Sequence, residues 1–179
     1  MPVRPWKILS SRHIHRNVRL DDVELPDGNH FEGTVFEFRD WVTVMALTPQ
    51  REVVLIRQYR HGAGKVIVEM PGGMMDPQDE SPLDAARREL LEETGYRSDN
   101  FIQVGCVSPN PANHTNLVYS FLALDAVPAG PQHLDPSEEI EVALTPLDEV
   151  IDLAKKGELL QSMQVAAVFF ALAYWNRIV

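Results

Sequence analysis

Apolar and polar positions along the chain change period several times, and each change predicts an element. "WKILSSRHIHRNVRLDDVEL" is strand-compatible, Pro26 to Asn29 is a turn signal, and "FEGTVFEF" alternates after it. The first forty residues therefore predict an extended antiparallel piece. Two apolar runs, "WVTVMAL" and "VVLIRQY", flank the turn "TPQRE" and predict a hairpin, and "KVIVEM" predicts another short strand after "HGAG". "PGGMMDPQDE" is a loop. The period then becomes helical in "SPLDAARRELLEETGY", where Ser81 caps, Pro82 suits the first turn, Asp84 completes a capping box and Gly95 stops the helix. "FIQVGCV" and "LVYSFLAL" predict two strands around the loop "SPNPANHTN", and the longer connection "VPAGPQHLDPS" follows them. "EIEVALTPL" predicts a strand leading to a helix over about Asp148 to Lys156, stopped by Gly157. A last amphipathic helix runs from about Gln161 to Arg177, with Val165, Val168, Phe169, Leu172, Tyr174 and Trp175 read as core. Strands and helices interspersed in this way predict a mixed sheet with helices packed on it.

Composition narrows the partners. A chain of 179 residues with 45% hydrophobic content builds one domain with a real core. Its formal net charge of −10 argues against nucleic acid and anionic membrane, which both want basic surface. It does not argue against a small phosphorylated ligand, because a divalent metal reverses a local field. The single cysteine, Cys106, permits no intrachain disulfide, and in an apolar run it is read as a buried structural thiol. The N-terminal stretch lacks the apolar core of a signal peptide, and the longest apolar run, Val165 to Trp175, is short of the about 20 residues that span a bilayer. The expectation is a soluble cytoplasmic protein.

The helix over Ser81 to Thr94 raises the chemical question. At about 100° per residue, Leu83, Ala86 and Leu90 form one stripe that faces a sheet. Glu89, Glu92 and Glu93 crowd a neighbouring arc, where like charges cost a few tenths of a kcal/mol per pair. Ion pairs with Arg87 and Arg88 on a solvated face are one account of them. A Gly-rich loop immediately before the helix favours another. Hard cations such as Mg²⁺ want carboxylates, backbone carbonyls and water, and glycines let carbonyls approach closely.

"GGMMDPQDESPLDAARRELLEETGY" resembles the Nudix box: glycine, five residues, Glu, seven residues, then Arg-Glu-aliphatic-any-Glu-Glu-any-Gly-aliphatic. Glu80, seven residues and Arg88 to Gly95 match the second half. Six residues separate Gly73 from Glu80, so the loop is one longer and either Asp79 or Glu80 takes the first acidic position. Tyr96 stands in place of the last aliphatic. "VVLIRQYRHGAGKVIVEMPGG" is similar to the upstream segment of the branch that hydrolyses ADP-ribose and nucleoside-diphosphate sugars, and Pro111 lies sixteen past Gly95 as in that branch.

The resemblance implies a fold of the α/β (α+β) class: a Nudix-type α/β/α sandwich with a mixed sheet over 41–179, and N-terminal antiparallel strands over 1–40 that build a homodimer. It implies Mg²⁺-dependent hydrolysis, with Mn²⁺ as an alternative, of ADP-ribose or a nucleoside-diphosphate sugar to nucleoside monophosphate and sugar phosphate. Glu89 and Glu93 would be metal ligands, with Glu92 ligating directly or through water and the Gly72 carbonyl as a further donor. Arg88 would hold Glu92 or its neighbours. Arg60, with Arg57 behind it, is the phosphate candidate, since arginine binds phosphate bidentately. Glu69 either orients Arg60 or the loop, or pairs on the surface. Met74 packs on ligand or on core. Ser108, Pro109, Asn113, His114 and Asn116 lie in the loop expected to approach substrate. That loop carries "NHTN" where some relatives carry a glutamate, which leaves Glu138 or Glu139 as general base or late ligand. Trp6 and Phe31 either stack on a base across a dimer or pack. Two alternatives stand beside this reading: a non-catalytic nucleotide-sugar-binding regulator, and a hydrolase of a nucleoside triphosphate or dinucleoside polyphosphate.

Overall fold

The computed structural model describes residues 4–176, so Arg177, the expected end of the last helix, lies outside the described residues. The chain forms two compact units, one of residues 1–39 and 108–117, the other of 40–107 and 118–179.

The first unit is an antiparallel three-stranded sheet. β1 (Lys7–His15) pairs with β2 (Val18–Glu24), and β2 with β3 (His30–Phe36). Arg19 lies beside the nearly buried carboxylate of Asp21 at 2.8 Å and also pairs with Glu37. The loop 108–117 is tied to the end of β3, where Phe36 N donates to Asn113 O at 2.7 Å and Thr115 N donates to Phe36 O at 3.1 Å.

The second unit is built on a hairpin that opens. β4 (Trp41–Leu47) and β5 (Glu52–Arg60) pair only beside their turn, at Ala46 with Val54 and Leu47 with Val53. Beyond that point β4 keeps β9 (Val118–Leu124) as a parallel neighbour. β5 pairs antiparallel with β6 (Lys65–Glu69) on the edge it shared with β4, and with β11 (Ile140–Pro146) along the other. The segment after β6 runs into the gap: Val44 N donates to Pro71 O and Val42 N to Gly73 O, both at 2.9 Å. β8 (Asn100–Val107) closes the sheet beyond β9, and β7 (Tyr96–Arg97) pairs with β10 (Val127–Pro128) apart from it.

Alternation along β4 sends side chains to two cores. Val42, Val44 and Ala46 meet Ala85, Ala86 and Leu90 of α1 (Pro82–Thr94) on one face. Met45 and Leu47 meet α2 (Leu147–Lys156) and α3 (Ser162–Tyr174) on the other. The unit is thus the expected α/β/α sandwich with a mixed sheet. Burying both faces requires apolar residues at consecutive β4 positions, which explains a run that is apolar except at Thr43.

Three expectations need correction. Cys106 is exposed: β8 is the end strand of the sheet, and a bulge between Gln103 and Gly105 shifts its alternation. Phe169, 54% exposed, and Tyr174 lie on the outer face of α3, while Val168 is buried and Val165, Leu172 and Trp175 pack against the core. The described part of that helix ends at Tyr174. Among the described residues no helix is long and apolar enough to cross a membrane.

Candidate active site

Helix α1 is fixed at both ends. Ser81 Oγ accepts from Asp84 N at 3.2 Å and donates to the Asp84 carboxylate at 2.7 Å, so the sequence signal is a working cap. At the other end Gly95 takes the left-handed conformation, and the last carbonyls find partners in the 129–133 segment. His133 N donates to Glu92 O at 2.8 Å, and Gln132 Nε2 to Glu93 O at 2.6 Å.

A helix held this firmly places Glu89 and Glu93 against the loop that fills the opened hairpin. Glu93 is 3% exposed, and Gly72 N donates to its Oε2 at 2.7 Å. Gly72 has φ +150°, and a Cβ there would lie 2.2 Å from Val42 O. A Cβ on Gly73 would lie 2.6 Å from Glu89 Oε1. Glycine at both positions is what allows backbone and carboxylates to come together. Burial pushes the Glu89 carboxyl up to about 7, with Arg88 opposing and Glu92 and Glu138 adding to the rise. Burial pushes Glu93 up to about 8, opposed by the Gly72 N–H and raised further by Glu89 and Glu138.

Arg88 organises the flank. Its guanidinium donates to Asp79 at 2.9 and 3.1 Å, to Glu89 and Glu92 at 3.0 Å each, and to Met74 O at 3.2 Å. These anions raise its pKa further, Asp79 most. Asp79, not Glu80, therefore takes the first acidic position: Glu80 is exposed, and Gly73 to Asp79 has the five-residue spacing. The extra residue falls between that acid and Arg88.

Arg60 donates from Nε to Glu69 Oε2 at 2.8 Å, and Glu69 is 0% exposed, so the pair is not a surface one. Burial raises the Glu69 pKa and Arg60 opposes this. The Arg60 charge also lowers that of Glu93, so both belong to one electrostatic site. Arg57, an odd number of positions away on β5, projects to the opposite face and pairs with Glu141 at 3.7 Å. Glu138 is half-buried and felt by both box carboxylates, whereas Glu139 is exposed. Met74 is exposed beside its bridge to Trp41.

Ser108, Pro109, His114 and Asn116 belong to the first unit. His114 lies edge-on to Phe36 and Phe38 at 5.4 Å from each ring. Ser108 Oγ, His114 Nδ1 and both amide atoms of Asn116 are buried without a protein hydrogen-bond partner, the kind of group a ligand satisfies. Trp6 and Phe31 pack edge-on at 5.8 Å, and both are exposed.

The donor set suits a hard divalent cation: buried Glu93, partly buried Glu89, a third carboxylate on the same helix, and a glycine carbonyl in a loop that a Cβ would obstruct. Among the described residues no three His, Cys, Asp or Glu side chains are gathered as a ready ligand cluster, and Glu92 is turned to Arg88. Sequence reasoning passed over three glutamines near this site, Gln132, Gln161 and Gln164. The one available signal was Gln164, a polar residue within an otherwise apolar helix face.

A family model for the NUDIX domain matches residues 18–164. The chain is 29% identical over 150 residues to an ADP-ribose pyrophosphatase of Bacillus subtilis, covering 83% of this chain and 80% of the relative. It is 29% identical to a methanol dehydrogenase activator of Bacillus methanolicus (93% and 89% covered). It is also 29% identical to a GDP-mannose pyrophosphatase of Cronobacter sakazakii (84% and 84% covered). The crystal structure of an ADP compounds hydrolase superposes with a TM-score of 0.86 at 23% identity, covering 99% of this chain and 100% of that one, and shares its fold.

Proposed function

The chain belongs to the Nudix family and is a Nudix hydrolase, and from that premise we propose that it cleaves the diphosphate bond of ADP-ribose or a nucleoside-diphosphate sugar. The observation that carries this reading is the pair of partly buried Glu89 and buried Glu93 against the glycine loop, which burial raises to about 7 and about 8.

Glu89, Glu93 and the Gly72 carbonyl would hold a divalent cation, with Glu92 joining directly or through water. The cation, Mg²⁺ or Mn²⁺, supplies charge neutralisation at the diphosphate and acidifies an attacking water. Glu138, half-buried and sensed by both carboxylates, is better placed than Glu139 to take that water's proton. Arg60, aimed by buried Glu69, offers a guanidinium to phosphate oxygens. Water adds to one phosphorus, the bridging P–O bond breaks, and nucleoside monophosphate and sugar phosphate leave. The first unit is read as dimer-forming, which suits its exposed Trp6, Ile8, Ile14 and Phe31. Light scattering at the monomer mass would remove that part.

The test is a product screen with ADP-ribose, GDP-mannose, ADP-glucose, UDP-glucose and one nucleoside triphosphate, with Mg²⁺ and with chelator. Metal-dependent release of nucleoside monophosphate and sugar phosphate is expected. Intact substrates throughout, with one tightly bound, would favour a regulator, the reading suggested by the relative named as an activator.

A further inference from the structure

The first turn of α3 reaches into the loop that carries the site. Gln164 is 4% exposed, in a helix segment that is otherwise apolar on its inner face. A buried amide is costly unless bonded, and both ends of this one are bonded to a single residue. Its Oε1 accepts from Met70 N at 2.9 Å, and its Nε2 donates to Met70 O at 3.1 Å. Met70 follows the last ladder pair of β6 and precedes Pro71 and Gly73, which bond to β4. Gln164 thus bridges the interval between two ladders. Two residues on, Gly72 holds Glu93. One helical turn earlier, Gln161 donates from Nε2 to Glu69 Oε1, while Arg60 occupies Oε2.

We propose that Gln164 and Gln161 are positioning residues of the hydrolytic site, Gln164 for the cation-binding side through Met70 and Gly72, and Gln161 for the phosphate-binding side through Glu69 and Arg60. The two branches are separate. Gln164 acts on backbone whose displacement moves the Gly72 carbonyl and loosens Glu93. Gln161 acts on a carboxylate whose displacement frees the Arg60 side chain. Only the second branch rests on the diphosphatase reading. The first concerns cation binding and stands or falls without turnover.

The test uses the full-length protein and Mn²⁺ alone, with free ion followed by electron paramagnetic resonance. Gln164→Leu should weaken Mn²⁺ binding by about 10-fold or more, the usual effect of losing a group that orients a ligand, and Gln161→Leu should change it far less. With ADP-ribose, Gln161→Leu should raise KM with a smaller change in kcat, and Gln161→Glu, which sets a like charge against Glu69, should raise it further. A role in packing alone would lower the melting temperature and leave this division absent. Unchanged Mn²⁺ affinity in Gln164→Leu overturns the first branch, and unchanged KM in Gln161→Leu overturns the second. If Gln164→Leu does not fold, Gln164→Glu decides, since it keeps the acceptor for Met70 N and loses the donor to Met70 O. A wild-type protein that binds Mn²⁺ but turns over no substrate would defeat the diphosphatase reading and leave the Gln164 branch standing. A wild-type protein that binds no Mn²⁺ would defeat both.

Discussion

Helices α1 and α3 are each 13 residues long and flank the same sheet on opposite faces, yet they are anchored in opposite ways. α1 satisfies its own first turn through Ser81 and presents charged side chains from its middle and end. α3 has no side-chain cap at its start, because Gln161 and Gln164 direct their amides to Glu69 and Met70 instead. One helix carries the chemical groups. The other fixes the loop those groups close upon. On the proposed reading, a helix serves a site without contributing a charged residue to it.

The strongest way to break this division is to alter α1. Glu93→Gln keeps shape and the bond from Gly72 N–H but removes the charge. A cation's charge stabilisation is worth several kcal/mol, and about 1.36 kcal/mol is tenfold in rate, so turnover should fall by about 10²-fold or more. The fold should survive, as read by circular dichroism. Near wild-type turnover in this variant would remove Glu93 from the ligand set. On α3, Phe169→Ala should change stability by no more than about 0.5 kcal/mol, since that ring is exposed.

The next effect is on stability and has a definite sign. In the folded, cation-free protein Glu89 and Glu93 titrate at about 7 and about 8, against 4.5 for an unperturbed glutamate. Between those values the folded state holds more protons than the unfolded one, so stability must fall as pH rises. The contribution is fully present below 4.5 and lost as the pH passes through about 7 and about 8. Melting temperature in chelator should therefore drop across that window. Mg²⁺ should restore it at the alkaline end, because the cation takes the place of the protons. Glu93→Gln should flatten the slope. A melting temperature that rose with pH in chelator would mean that burial does not raise the pair as described.

The same contrast explains what could be read from the sequence. Ser81, Pro82, Asp84 and Gly95 act through neighbours in the chain, and local signals of that kind are legible. The metal-facing role proposed for Glu89 and Glu93 came from the resemblance, whereas their unequal burial, Glu93 at 3% exposed and Glu89 only partly buried, left no mark in the sequence. The opened hairpin was not legible, because "WVTVMAL" and "VVLIRQY" look the same whether they pair along their length or part after two residues. Parting depends on β9 and β6, which lie far along the chain. The choice of Asp79 over Glu80 depended on the reach of Arg88. Gln164 meets Met70 across 94 positions, and no local pattern signals such a contact. Cys106 was misread because a bulge changes the phase of a strand without leaving a mark in its apolar pattern.

A pair of small, opposed effects sharpens the comparison most, because it separates two helix starts that look alike in position. The Ser81 side chain bonds within its own first turn, to Asp84. Ser81→Ala should therefore cost about 1 kcal/mol of stability. Turnover at saturating substrate and Mg²⁺ should stay near wild type, since Glu89 and Glu93 remain held by Arg88, Gly72 and the carbonyl contacts of the 129–133 segment. Gln161 makes no bond to its own helix through its side chain, so Gln161→Ala removes nothing that α3 needs to start. It does leave one oxygen of buried Glu69 without its donor. Its main effect should fall on KM. Denaturation midpoints and steady-state kinetics on the two variants should thus cross: stability falls and kinetics hold for Ser81→Ala, and kinetics shift most for Gln161→Ala. If both variants lost stability and activity in proportion, the start of α3 would be an ordinary helix start, and the site would be the work of α1 and its loop alone.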